Sequence, residues 1–140
     1  MISAQSITKR FGNFVAVDSV SFEVAPGEIL GFIGPNGAGK TTTMRMLTGF
    51  LPASEGRAVV AGHDVFDEPM KVRRKVGYLP EKPPLYNDLT IGAYLDFVAE
   101  IRGIDRSKRV RRVGEVMDQV GLIGWEHRIL GSLSKGYRQR

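Results

Sequence analysis

The sequence has no cysteine. That excludes a disulfide framework, a thiolate zinc site and a cysteine nucleophile, and it fits a reducing compartment. There are only two histidines, His63 and His127. Far apart, and without cysteines or a short-spaced His/Glu pair, they do not make a metal site. Long apolar runs are missing as well: the best are Ile29–Ile33 and Ala58–Ala61. Both fall far short of a spanning helix, so a membrane role has to come through a partner. The start, MISAQSITKRFGN, lacks a basic stretch followed by a long apolar run and a small-residue cleavage site, so nothing marks a secretory signal. Acidic residues are in deficit, 15 against 20 Lys and Arg, for a net charge of +5. Such a balance suits nucleic acid, an anionic surface, a phosphorylated ligand, or a domain whose acidic remainder lies elsewhere.

What is present is the composition of an ordinary globular chain, 42% hydrophobic and 25% charged over 140 residues, enough for one domain with a core. No internal repeat or low-complexity tract interrupts it. The β-forming runs are short from Ile2 to Ala61, and the apolar spacing becomes helical from Thr90 onward. Two strands are expected around the turn "FGN", with Val17, Val20, Phe22 and Val24 alternating through the second. "EILGFIG" is a continuous apolar run, expected as a strand buried on both faces of a parallel sheet. Met44, Leu47 and Leu51 recur at helical spacing after it. "GRAVVAGHDV" reads as a strand turning at Gly62, "EPMKVRRK" as a short basic helix and "VGYL" as a further strand. Thr90 is the expected N-cap of a helix that faces Ile91, Tyr94, Leu95, Val98 and Ile101 inward and ends at Gly103. A second helix, starting at Asp105 or Ser107, is expected to face Val110, Val113, Met117 and Val120 inward.

The chemistry concentrates in "GPNGAGKTTT", Gly34 to Thr43. It fits the phosphate-loop pattern Gly-x-x-x-x-Gly-Lys-Ser/Thr, and the context is right, an apolar run entering and a helical pattern leaving. Gly34, Asn36, Gly37, Ala38 and Gly39 form the loop. Gly37 and Gly39 permit backbone conformations that let successive N–H groups point at phosphate oxygens. Lys40 places a compact cation on the β and γ phosphates, the Thr41 hydroxyl suits Mg²⁺, and Thr42 continues the helix whose positive end faces the anion. The implied ligand is a nucleoside triphosphate, with Mg²⁺. The dinucleotide fingerprint is absent, because Thr42 stands where its third glycine belongs.

With these motifs in order, the whole chain resembles the nucleotide-binding domains of ATP-binding cassette (ABC) transporters, of an exporter-like branch. The resemblance implies an α/β phosphate-loop NTPase fold: a β-subdomain and an incomplete parallel-sheet core, followed by an α-helical subdomain. It divides the chain into an ATP-binding part at 1–82, a coupling loop at 83–89 and a helical part at 90–140. It places Phe11 on the adenine, with Val17 nearby, although by the residues alone Phe11 fits a core or turn position equally well. It places Glu81, in "VGYLPE", where the family has a glutamine that senses Mg²⁺ and the attacking water. A carboxylate ligates Mg²⁺ directly but does not donate as an amide does. "LSKGY" stands where the family has Leu-Ser-Gly-Gly-Gln. Ser134, Lys135, Gly136 and Tyr137 then face the γ-phosphate held by an opposite subunit, with Ser134 also capping a helix. Lys135 and Tyr137 depart from the family pattern.

The same resemblance implies membrane-spanning permease partners, a second nucleotide-binding domain as a homo- or heterodimer, and a place on the cytoplasmic face of the membrane. It also implies ATP hydrolysis in the full-length protein. The family's second acidic strand, its catalytic glutamate and its switch histidine find no match within these residues, so the general base is not expected here and the chain is expected to be inactive alone. An ABC-type ATPase acting on nucleic acid or the ribosome is the alternative. The basic run "RSKRVRR" lacks interleaved aromatics and reads as a solvated helix face. Trp125 fits either packing against a helix or facing a partner.

Overall fold

A computed structural model describes all 140 residues and resolves them into two compact units, Met1–Tyr78 and Leu79–Arg140. In the first, β1 (Ile2–Phe11) and β2 (Phe14–Val24) form an antiparallel hairpin closed by Phe11 opposite Phe14. β3 (Glu55–Val60) pairs antiparallel with the other edge of β1, and the two-residue β4 (His63–Asp64) folds back on β3, giving the order β2-β1-β3-β4.

The pleat of β1 is not regular. The register slips between Ala4 and Ile7, where Ser6 takes a left-handed conformation (φ 48°). This irregularity lets Ala4 and Ile7, three residues apart, both bury their side chains. The backbone donors it displaces find side chains instead: Ser6 N donates to Ser21 Oγ at 2.7 Å and Ser19 N to Thr8 Oγ1 at 2.9 Å. Helices α1 (Lys40–Leu47) and α2 (Pro69–Lys75) contribute Met46, Leu47 and Val72 to the core formed with Ala4, Ile7, Val17 and Val60. The buried positions of α1 are Thr43, Met46 and Leu47, so Met44 of the expected stripe is only half-buried and Leu51 lies beyond the helix end. The β3–β4 turn is fixed by Asp64, whose carboxylate accepts from the amides of Phe66 (2.8 Å) and Asp67 (3.0 Å) and pairs with Arg57. Burial pushes the Asp64 carboxyl up, but the Arg57 hydrogen bond and the two amides outweigh it and hold it below the ordinary carboxylate range.

The expected hairpin, the turn at Gly62 and the basic helix are all formed, and the chain is mixed α/β. Two expected strands are not. Glu28–Ile33 and Val76–Leu79 run as unpaired chain, and every strand pair is antiparallel. The reason is physical: a strand apolar on both faces is stable only with a neighbour on each side. Nothing in the sheet pairs with Glu28–Ile33, whose Ile29 and Ile33 are 97% and 96% exposed.

In the second unit α3 (Ile91–Ile101), α4 (Arg106–Gln119), a 3-10 turn (Leu130–Ser132) and α5 (Lys135–Gln139) surround a core of Ile91, Met117, Leu122, Leu130 and Leu133. Thr90 caps α3 as expected, its hydroxyl accepting from Ala93 N at 3.2 Å, and Gly103 follows the end in a left-handed conformation (φ 74°). Two expected core positions face outward. Val110 is 85% exposed, because the inward line of α4 runs through Arg109, Val113 and Met117 at four-residue steps. The guanidinium of Arg109 folds in to donate to Ile104 O (2.9 Å) and to Glu100 (3.0 Å). Ile101 is 67% exposed, since Ile91, Leu95 and Ala99 already make the inward line of α3. No helix is long and apolar enough to cross a membrane.

Candidate nucleotide site

The phosphate loop leaves an unpaired segment and enters α1 through Gly39, which adopts φ 80°. A side chain there would run into the backbone carbonyl of Ala16 and lie 2.9 Å from Val17 Cγ2. Gly37 (φ 85°) needs the same left-handed backbone but has open space around it. So Gly39 is required by packing and conformation together, and Gly37 by conformation alone. The first helical hydrogen bond of α1 is donated by Thr43 N to Gly39 O at 2.8 Å. The amides of Lys40, Thr41 and Thr42 precede it and have no acceptor within the helix, which is the arrangement that suits an anion. The only backbone bond donated inside the loop is the long one from Ala38 N to Pro35 O, 3.3 Å.

Lys40 folds back over this loop. Its ammonium donates to Gly34 O at 2.7 Å and Pro35 O at 2.6 Å. The cation is thus held beside Gly34, Pro35, Asn36, Gly37 and Ala38 by carbonyls, with no carboxylate partner to neutralise it. Phosphate oxygens offer such an ammonium a stronger acceptor than neutral carbonyls do. No group of three His, Cys, Asp or Glu side chains converges in the molecule. Thr41 is exposed in the first turn of α1, and its hydroxyl is the kind of oxygen that suits an Mg²⁺ carried in on a triphosphate with most of its waters.

The remaining candidates are placed as follows. Val17 is buried in the first core, against Gly39. Phe11 lies at the β1–β2 turn, 50% exposed, with Lys9 Nζ 5.4 Å from its ring centroid. It is thus a surface aromatic and not a core residue. Glu81 belongs to the second unit and is exposed there. It borders an open cleft of about 360 Å³, whose lining includes Lys82, Asn87, Lys135, Arg138 and Gln139. Glu81 O accepts from Gln139 Nε2 at 3.3 Å. Nothing in the sequence signals this bond, because its partners are 58 residues apart. Ser134, Lys135 and Gly136 are exposed at the start of α5, and the Ser134 hydroxyl accepts from Tyr137 N at 3.4 Å.

A loop of this geometry occurs in many nucleotide-binding proteins. Comparison with known families discriminates among them: the family model described as ABC transporter matches residues 17–140. The chain belongs to the ABC transporter family. It is 37% identical over its whole length to the uncharacterized ABC transporter ATP-binding protein YxlF of Bacillus subtilis, spanning 46% of that protein. It is 36% identical over its whole length to the probable multidrug ABC transporter ATP-binding protein YbhF of Escherichia coli, spanning 24% of it. The chain thus spans half or less of the length of these relatives. Among solved structures, the ATP-binding subunit of an ABC transporter superposes with a TM-score of 0.84 at 28% identity, covering 99% of this chain and 57% of that one. The ABC family therefore accounts for the mixed α/β architecture.

Proposed function

We propose that this chain is the ATP-binding part of an ABC transporter subunit, in which ATP binding and hydrolysis drive the movement of substrate by membrane-spanning partners. The observation that carries the reading is the phosphate loop: Lys40 held over it by two carbonyls, and three leading amides of α1 without helical acceptors. Lys40 moves from those carbonyls to the β and γ phosphates, while Gly37, Ala38, Gly39 and Thr42 supply backbone donors. Gly34 and Asn36 shape the entry to the loop. Phe11 offers its exposed ring to the adenine, with Val17 beneath the loop. Mg²⁺ arriving with the triphosphate would neutralise phosphate charge and take the Thr41 hydroxyl as a ligand. Ser134, Lys135, Gly136 and Tyr137 form the signature segment that meets the nucleotide of a second nucleotide-binding domain, so that ATP closes the pair and hydrolysis reopens it. Hydrolysis belongs to the whole subunit, and no general base is assigned among these residues.

In this reading residues 1–82 form the ATP-binding part, 83–89 the coupling loop to the permease and 90–140 the helical part. The subunit sits on the cytoplasmic face of the membrane. The basic residues of α4 favour the transporter reading over one on nucleic acid. Arg109 pairs with Glu100, Arg111 and Arg112 share Glu115, and Lys108 pairs with Asp105, so four of the five cations of α4 already have a carboxylate neighbour within the unit.

The test is a pair of variants in the intact subunit. Lys40→Ala lowers ATP turnover about 100-fold or more through lost phosphate stabilisation. Ser134→Ala leaves nucleotide binding to the monomer in place and abolishes ATP-driven closure. Normal ATP-driven transport by either variant refutes the role assigned to that residue.

A further inference from the structure

α5 has no buried residue, yet it carries Ser134 at its start. Besides the bonds from Gln139 Nε2 to Glu81 O and from Arg140 to Val120 O, it is held by an aromatic ladder built from two segments of the second unit. The Trp125 ring packs on the Tyr137 ring with centroids 4.5 Å apart and planes inclined by 32°. Arg128 lies over the Trp125 ring, its guanidinium carbon 3.8 Å from the centroid, and Arg140 lies 5.1 Å from the centroid of Tyr137. A cation over each ring of a packed aromatic pair adds attraction to the ring contact.

The base of the ladder is anchored. Trp125 is half-buried against the core of Ile91, Met117, Leu122, Leu130 and Leu133, and its amide donates to Leu122 O at 3.1 Å. The top is the signature turn, because Tyr137 N is the donor that engages the Ser134 hydroxyl. We propose that Trp125 is a positioning residue for the signature segment: through Tyr137 it sets the orientation in which Ser134 and Gly136 meet the partner's nucleotide. Tyr137 is then not a defect of the signature but the half of the ladder that replaces a polar side chain with a ring. The inference rests on the reading of Ser134 given above.

Trp125 is also the one tryptophan in these residues, which makes the ladder observable. The experiment uses the intact subunit with its membrane partners, any other tryptophan being replaced by phenylalanine. In the wild type, Mg-ATP shifts Trp125 emission as the signature engages. Ser134→Ala, which leaves the ladder whole, removes that shift. Trp125→Ala lowers the maximal ATP turnover about tenfold while changing nucleotide affinity less than about twofold, the mark of lost orientation and not of lost binding. Trp125→Phe, which keeps a ring, recovers most of the turnover. Tyr137→Leu matches the loss in Trp125→Ala, and the double variant is no worse than either, because the two rings act as one unit.

The proposal is overturned if Trp125→Ala turns over ATP at the wild-type rate. It is overturned equally if the two single losses multiply, or if the emission shift survives Ser134→Ala. Normal turnover in Ser134→Ala instead refutes the signature reading itself. An inactive Ser134→Ala beside a fully active Trp125→Ala refutes the positioning role alone.

Discussion

In the first unit the candidate site is shaped by backbone, whereas in the second it is held by side chains. The phosphate loop depends on two left-handed glycines, leading amides and carbonyls that seat Lys40. The Ser134 segment follows Leu133 of the core and leads into α5, whose Tyr137 ring packs on Trp125. Backbone geometry tolerates few residue types at a few positions, while a packed support is achieved by many combinations. The same contrast separates how each unit fails: the loop at single atoms, the support through the filling of a core.

The largest test of the comparison sets Gly39→Ala against Gly37→Ala. The first adds a methyl group against the Ala16 carbonyl and Val17, and should cost about 3 kcal/mol through clash plus left-handed strain. The second meets open space and should cost only about 1 kcal/mol, from conformation alone. Denaturant midpoints at constant slope measure the difference; equal costs would remove the packing role of Gly39.

For the second unit, Met117→Ala empties the centre of its core, where Met117 is 1% exposed, and should cost about 2–3 kcal/mol. Val110→Ser, at an outward position on the same helix, should stay within about 0.5 kcal/mol. A larger loss at Val110 than at Met117 would reverse the assigned inward face.

The smallest effect concerns the β3–β4 turn. Asp64→Asn removes the charge paired with Arg57 and weakens acceptance from the Phe66 and Asp67 amides, at a cost of about 1 kcal/mol at neutral pH. The folded carboxyl titrates below its ordinary value. Its contribution is therefore complete above the unfolded value of about 3.9 and is lost as pH falls through the lower folded value. Urea unfolding should show wild type and variant converging in strong acid. A gap that stays constant down to pH 2 would mean the charge plays no part.

The sequence read well where local rules decide. Thr90 and Ser134 are capping residues in their own right, and the hairpin and Gly62 turns follow from alternation and turn chemistry. It read less well where apolar character had to be assigned to a face or a neighbour. Ile29 and Ile33 look like core residues by type, and Val110 and Ile101 look so by spacing, yet all four are exposed. A hydrophobic pattern states that a side chain can be buried, not that something is there to bury it.

The phosphate-loop motif, its order before the Ser134 segment and the mixed α/β character are legible along the chain, because each rests on residues close together in it. That Lys40 rests on the carbonyls of Gly34 and Pro35, that Arg109 takes the inward place next to Val110, and that Trp125 stacks on Tyr137 became visible only in the folded chain. Those are contacts whose geometry depends on how the chain packs in space, and residue types or spacing do not encode it directly.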